Sequence, residues 1–95
     1  MSKVIEGAVA ALQEKLPEGF DGSAKFVIED EGEIVVDGGG VRASDDDTDV
    51  TLTASQDTFE QMMAGDLDPT SAFMSGRLKI DGDMGAAMKL GSALS

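Results

Sequence analysis

Hydrophobic positions recur along this chain at two spacings, and the switches between them mark out its elements. From Lys3 to Leu16, Ile5, Ala8, Val9, Leu12 and Leu16 share one side while Glu6, Gln13 and Lys15 fall elsewhere, which predicts an amphipathic helix closed by Pro17. Ala24, Phe26 and Ile28 then alternate with Lys25, Val27 and Glu29, the period of a strand with one dry face. Ile34 and Val36 repeat the alternation after a hairpin turn at Asp30 to Gly32. Val41 and Ala43 flank Arg42 in a short third strand, beyond the turn at Asp37 to Gly40. Val50, Leu52 and Ala54, separated by Thr51 and Thr53, predict a fourth strand.

The last third of the chain is punctuated by helix caps. Ser55 suits the N-cap of a helix running to Ala64 and ending at Gly65; it carries Phe59, Met62 and Met63. Asp68 and Pro69 open a short helix that Gly76 ends. Leu78 and Ile80, between Arg77, Lys79 and Asp81, predict a fifth strand with a turn at Asp81 and Gly82. Asp83 then caps a final helix with Met84, Ala87 and Met88 at helical spacing. Strands and helices that each have one apolar side bury those sides together, so the simplest packing is an α+β fold with all helices on one face of a single sheet.

Charge and composition narrow the function. Nineteen acidic residues against seven basic give a net charge of −12, which repels phosphate backbones and anionic membrane surfaces, so nucleic acid is not an expected partner. No apolar run reaches the length of a membrane span or a signal core, so no stable membrane insertion and a cytoplasmic location are expected. With 95 residues the chain fits one small domain, residues 1–95. It has neither Cys nor His, which removes thiolate chemistry, the commonest general base and the commonest metal ligand. Asp45, Asp46, Asp47 and Asp49 invite a calcium reading, but Val50 and Gln56 stand where an EF-hand loop needs Gly and Glu, so the segment reads as a solvated loop and no metal site is expected. No serine sits in a nucleophile elbow, and Asp81 and Asp83 flank a turn, so no catalytic residues, no cofactor and no enzyme are expected.

The spacing of Pro69, Ser71, Ala72 and Phe73, then Gly76, Leu78, Lys79 and Ile80, then Gly82, Met84 and Gly85, and finally Ala87, Met88, Lys89 and Leu90 resembles the sterol carrier protein 2 family. Phe20 to Ile28 and Asp49 to Phe59 fit the same layout, so the resemblance covers nearly the whole chain. It implies a five-stranded sheet in the order 3-2-1-4-5 with helices on one face, where periodicity alone suggests a plain meander for the first four strands. The implied crossover from Ser44 to Asp49 passes three strand spacings, roughly 14 Å, within reach of six extended residues.

The resemblance also implies an apolar cavity for fatty acids, fatty acyl-CoA or sterols, with a lipid or fatty acyl ligand as the partner. Five of the six methionines, Met62, Met63, Met74, Met84 and Met88, fall in the three later helices, and methionine suits a wall that accepts differing apolar shapes. On spacing alone these are core fillers; with the resemblance, Phe59, Met62, Met63, Phe73, Met74, Leu78, Ile80, Met84 and Met88 become the expected lipid-binding residues. Arg42, Arg77 and Lys79 point away from the dry face by alternation, which gives them surface roles. Gly91 and Ser92 stand where relatives carry larger polar groups, which favours acyl chains over sterols. The sequence ends at Ser95, five residues after Leu90, so the cavity is expected to be more open than in longer relatives, or closed by a partner or by a homodimer's second copy. The apolar groove of an interaction or dimerisation module is the alternative reading. The terminal Ala93, Leu94 and Ser95 lack the basic residue of a Ser-Lys-Leu signal, so a peroxisomal address is not carried over.

Overall fold

Helices α1 (Lys3–Lys15), α2 (Gln56–Ala64), α3 (Pro69–Met74) and α4 (Met84–Leu94) cover one face of a sheet built from β1 (Ser23–Ile28), β2 (Gly32–Asp37), β3 (Gly40–Ala43), β4 (Val50–Ala54) and β5 (Leu78–Gly82). The computed structural model describes residues 3–94; Met1, Ser2 and Ser95, the last of them part of the terminal reading above, lie outside the described residues. The expected caps form. Ser55 Oγ accepts from Thr58 N, Asp68 Oδ2 accepts from Thr70 N and Ser71 N, and Asp83 Oδ1 accepts from Gly85 N and Ala86 N. Gly65, left-handed at φ 83°, closes α2 by donating to Met62 O. Gly76, left-handed at φ 81°, ends α3 as expected, one residue beyond the Ser75 cap, whereas Asp81 and Gly82, expected as a turn, belong to β5.

The strands lie in the order β3-β2-β1-β4-β5, as the resemblance implied. Only the β1–β4 pair is parallel among the described pairings. The register puts Ile34, Phe26, Leu52 and Ile80 side by side in one row, and Ala54 beside Leu78 in the next. These residues face the helices, where Ile5, Ala8, Leu12, Ala72, Ala87, Leu90 and Leu94 join them in one buried cluster.

The opposite face carries Lys25, Glu33, Arg42, Thr51, Thr53 and Lys79, with one departure from simple alternation. Val35 points to this face yet is only 1% exposed. Its register partners are Lys25 and Arg42. Lys25 Nζ donates to Asp45 O at 3.1 Å, and Arg42 lies 3.7 Å from Asp46. The β3–β4 crossover is therefore tied down across the outer face above Val35, and Asp49 N donating to Ser23 Oγ secures its far end. The acidic loop is a strap over the sheet, held by Lys25 at the Asp45 carbonyl and by Arg42 at the Asp46 carboxylate.

Candidate functional site

A cavity of about 250 Å³ opens between α3, α4 and the β1–β4–β5 side of the sheet. Its floor is the in-register row Phe26, Leu52 and Ile80, with Leu78 beside it. Pro69, Thr70, Phe73 and Met74 of α3 form one wall. Met84, Ala87, Met88, Leu90, Gly91 and Leu94 of α4 form the other, and Met62 of α2 closes the back. Residues 84, 87, 88, 91 and 94 fall along one side of α4 by the 3.6-residue turn, so a single helical stripe supplies that wall. At Gly91, α4 passes close to α3, where an added Cβ would meet Pro69 Cβ at 3.8 Å, an ordinary contact.

No charged side chain lines this space, and Thr70 supplies the only hydroxyl among the described lining residues. Among the described residues, the exposed large hydrophobics are Phe73 (38%), Met74 (78%), Met84 (44%) and Met88 (60%). All four belong to the cavity wall, so the large apolar side chains that folding leaves exposed among the described residues are gathered at one mouth. Such a site binds by apolar contact; it presents no paired acid and base and no activated nucleophile.

Seven of the expected residues, Met62, Phe73, Met74, Leu78, Ile80, Met84 and Met88, line this cavity. Phe59 and Met63 do not. They line a wider, more open groove between α1 and α2, together with Val4, Gly7, Ala8 and Ala11 of α1. The reason is helical geometry: Met63 follows Met62 by about 100° around α2, so one faces the cavity and the other faces α1. Phe59 is 3% exposed and packs edge to face on Phe26, behind the floor. Sequence reasoning missed Phe26, Leu52, Pro69, Thr70, Ala87, Leu90, Gly91 and Leu94. Continuing the α4 stripe past Met88 reaches Gly91, and Phe26 and Leu52 join Ile80 once the strand order is known; Thr70 carries no signal of its own.

The profile of the SCP-2 sterol transfer family matches residues 5–95. The chain belongs to that family. Its members share a fold of lipid binding and transfer that is generally non-enzymatic. Among curated relatives, this family member is 49% identical over 47 residues to human Sterol carrier protein 2, covering 50% of this chain and 9% of the relative. It is 43% identical over 63 residues to Peroxisomal multifunctional enzyme A of Dictyostelium discoideum, covering 66% of this chain and 13% of the relative. It is 50% identical over 56 residues to Hydroxysteroid dehydrogenase-like protein 2 of Xenopus laevis, covering 57% and 13%. The matched stretch is thus a small part of each of these longer relatives. Among solved structures, Sterol Carrier Protein 2 of Aedes aegypti in complex with palmitate superposes with a TM-score of 0.78 at 20% identity, covering 100% of this chain and 97% of that one. The sterol carrier protein domain 2 of Helicoverpa armigera gives 0.70 at 26% identity, covering 97% and 83%. Among the described residues, no helix is long and apolar enough to cross a membrane.

Proposed function

We propose that this chain binds and carries a lipid whose single acyl chain, of the fatty acid or fatty acyl type, lies in the cavity between α3 and α4. The observation that carries the reading is the convergence of Phe73, Met74, Met84 and Met88, the exposed large hydrophobics among the described residues, on one charge-free cavity. The volume of about 250 Å³ lies just under the range of roughly 300–1,000 Å³ for small-molecule sites, so the buried end of a long chain fills it and the remainder runs out along the methionine rim. Each methylene removed from water contributes about 0.8 kcal/mol, so a few buried methylenes offset a large part of the association cost. Methionine supports loading as well as binding, because its three flexible torsions let the mouth reshape around an incoming chain. The Aedes aegypti relative bound to palmitate supports an acyl cargo; the small cavity supports a single chain over the rigid ring system of a sterol.

The test is titration with an environment-sensitive fluorescent fatty acyl probe, which the lack of Trp and Tyr leaves against a nearly silent background. Saturable emission at one probe per chain, lost when Met84 and Met88 are replaced together by Gln, is the expected result. Absence of any saturable signal overturns the reading.

A further inference from the structure

We infer that the ring pair Phe26–Phe59 is the end wall of the acyl cavity and sets the chain length beyond which further carbons add little affinity, so that a medium-length acyl chain binds nearly as tightly as a long one; this rests on the acyl-lipid reading above. The floor row gives the cavity a direction. Ile80 on β5 is half-buried, while Leu52 on β4 and Phe26 on β1 are buried. The α4 wall runs the same way, from exposed Met84 and Met88 to buried Leu90 and Leu94. The methionine mouth therefore lies at one end and Phe26 at the deep one. The register continues the row past Phe26 to Ile34 of β2, yet no described residue of β2 lines the cavity.

What stops the space at β1 is aromatic bulk. Phe59, delivered by α2, meets the Phe26 ring edge to face with 5.5 Å between centroids, and both side chains are buried. Met62, on the same helix, closes the cavity beside them. On its other side Phe59 lines the groove of about 590 Å³ between α1 and α2, where the α1 positions include Gly7, Ala8 and Ala11. Cavity and groove are thus one pair of rings apart. A chain entering tail first ends on this wall, and the difference in burial on either side of that point sets the selectivity. Each carbon that enters leaves water completely and contributes about fourfold in affinity. Once the tail reaches Phe26, a further carbon stays among the exposed Met74, Met84 and Met88 and contributes less than about twofold, because it remains partly wet. Pushing past the wall instead breaks the ring contact inside a close-packed interior.

The experiment is displacement of the fluorescent acyl probe by saturated fatty acids from octanoate to stearate in two-carbon steps, each below its micelle concentration, for the parent, Phe59→Leu and Phe59→Ala. In the parent, affinity is expected to climb about fourfold per carbon at the short end and to flatten before palmitate. Phe59→Ala opens the cavity toward the groove, so the break is expected to move to chains longer by about four to six carbons, the size of the ring removed. Phe59→Leu trims the wall at less cost to the fold and is expected to move the break by about two carbons. Circular dichroism establishes that each variant is folded; where the Ala variant is not, the Leu variant decides alone. Affinity that climbs evenly to stearate in the parent overturns the inference and leaves the acyl-lipid reading standing, as does a break that stays in place in every folded variant. A probe that fails to bind at all overturns the acyl-lipid reading together with the inference.

Discussion

The ring of Phe59 meets the ring of Phe26 edge to face, with centroids 5.5 Å apart and planes inclined by 75°. Phe26 lines the cavity floor and Phe59 does not, so α2 braces the site from behind through this contact. Phe59→Ala is expected to lower the unfolding free energy by about 3–5 kcal/mol, and Phe59→Leu, which keeps most of the volume, by about 1–2 kcal/mol. Urea titration followed by far-ultraviolet circular dichroism checks both. A Leu variant as stable as the parent would show that the ring contact contributes nothing beyond its bulk.

Gly82 holds the end of β5 against the start of β4. At φ +113°, a Cβ there would stand 2.5 Å from Asp49 O and 3.0 Å from Val50 Cα, and that backbone is fixed by Asp83 N donating to Asp49 O. Gly82→Ala is expected to cost about 2–3 kcal/mol. Gly7 is the contrasting case: it lies inside α1, and a Cβ there would meet nothing within 4 Å, so Gly7→Ala is expected to stabilise by about 0.5–1 kcal/mol. Opposite shifts in melting temperature distinguish the pair.

Gly91 offers a way to fill the cavity from inside. A methyl group there makes ordinary contact with Pro69, so Gly91→Ala is expected to fold and bind like the parent. Gly91→Leu projects further into the same space and is expected to weaken acyl-probe binding by about tenfold or more while the helices remain formed. Equal probe affinity in the Leu variant would place the cargo elsewhere.

Across the β2–β3 turn, Asp37 receives both arms of the Arg42 guanidinium, at 3.0 Å and 2.9 Å, and a backbone donor from Gly39 at 2.8 Å. The Arg42 hydrogen bonds first, and Gly39 second, hold the Asp37 carboxyl below its ordinary value, while the Asp37 hydrogen bond raises Arg42. A carboxylate lowered by folding stabilises the folded state above its unfolded pKa, and that contribution disappears as pH falls through the folded pKa. Arg42→Gln is therefore expected to be less stable than the parent at neutral pH, with the difference shrinking below about pH 4. Parallel pH series of denaturant midpoints read this out; a gap that persists unchanged into acid would assign it to lost packing over Val35.

The rim is also chemically distinct from the interior. Met74, Met84 and Met88 are exposed, whereas Met62 is 2% exposed at the back of the same cavity. Brief peroxide treatment is expected to convert the three rim residues to sulfoxides first and to reduce probe affinity, since the sulfoxide is polar. Peptide mass mapping against binding loss checks the order; early oxidation of Met62 would show that the mouth opens wider than this structure.

Much of this architecture was legible because it is written locally. Alternation at Ala24, Phe26 and Ile28 sets which side of β1 is dry, and Ser55, Asp68 and Asp83 declare three helix starts through their side-chain chemistry. What local pattern does not carry is partnership. The resemblance supplied the adjacency of β1 and β4, but the parallel register that sets Phe26 beside Leu52 on the cavity floor is seen only in the structure. Val35 reads as a wet position by period, and only the strap held by Lys25 and Arg42 makes it dry. Phe59 and Met63 share the apolar arc of α2 with Met62, and which part of that arc meets the cavity depends on where α1 packs.

The parallel seam between β1 and β4 also joins parts of the chain that are far apart in sequence. The hairpins linking β1, β2 and β3 join near neighbours in the chain, whereas Ala24 meets Val50 only after the intervening loop has closed. The row that becomes the cargo's resting place, Phe26, Leu52 and Ile80, straddles that seam. The cavity floor thus draws on strands 26 to 32 residues apart, where Ala24 meets Val50 and Val50 meets Gly82. The site is built from the long-range half of the sheet, and the β1–β2–β3 hairpins contribute none of its seam.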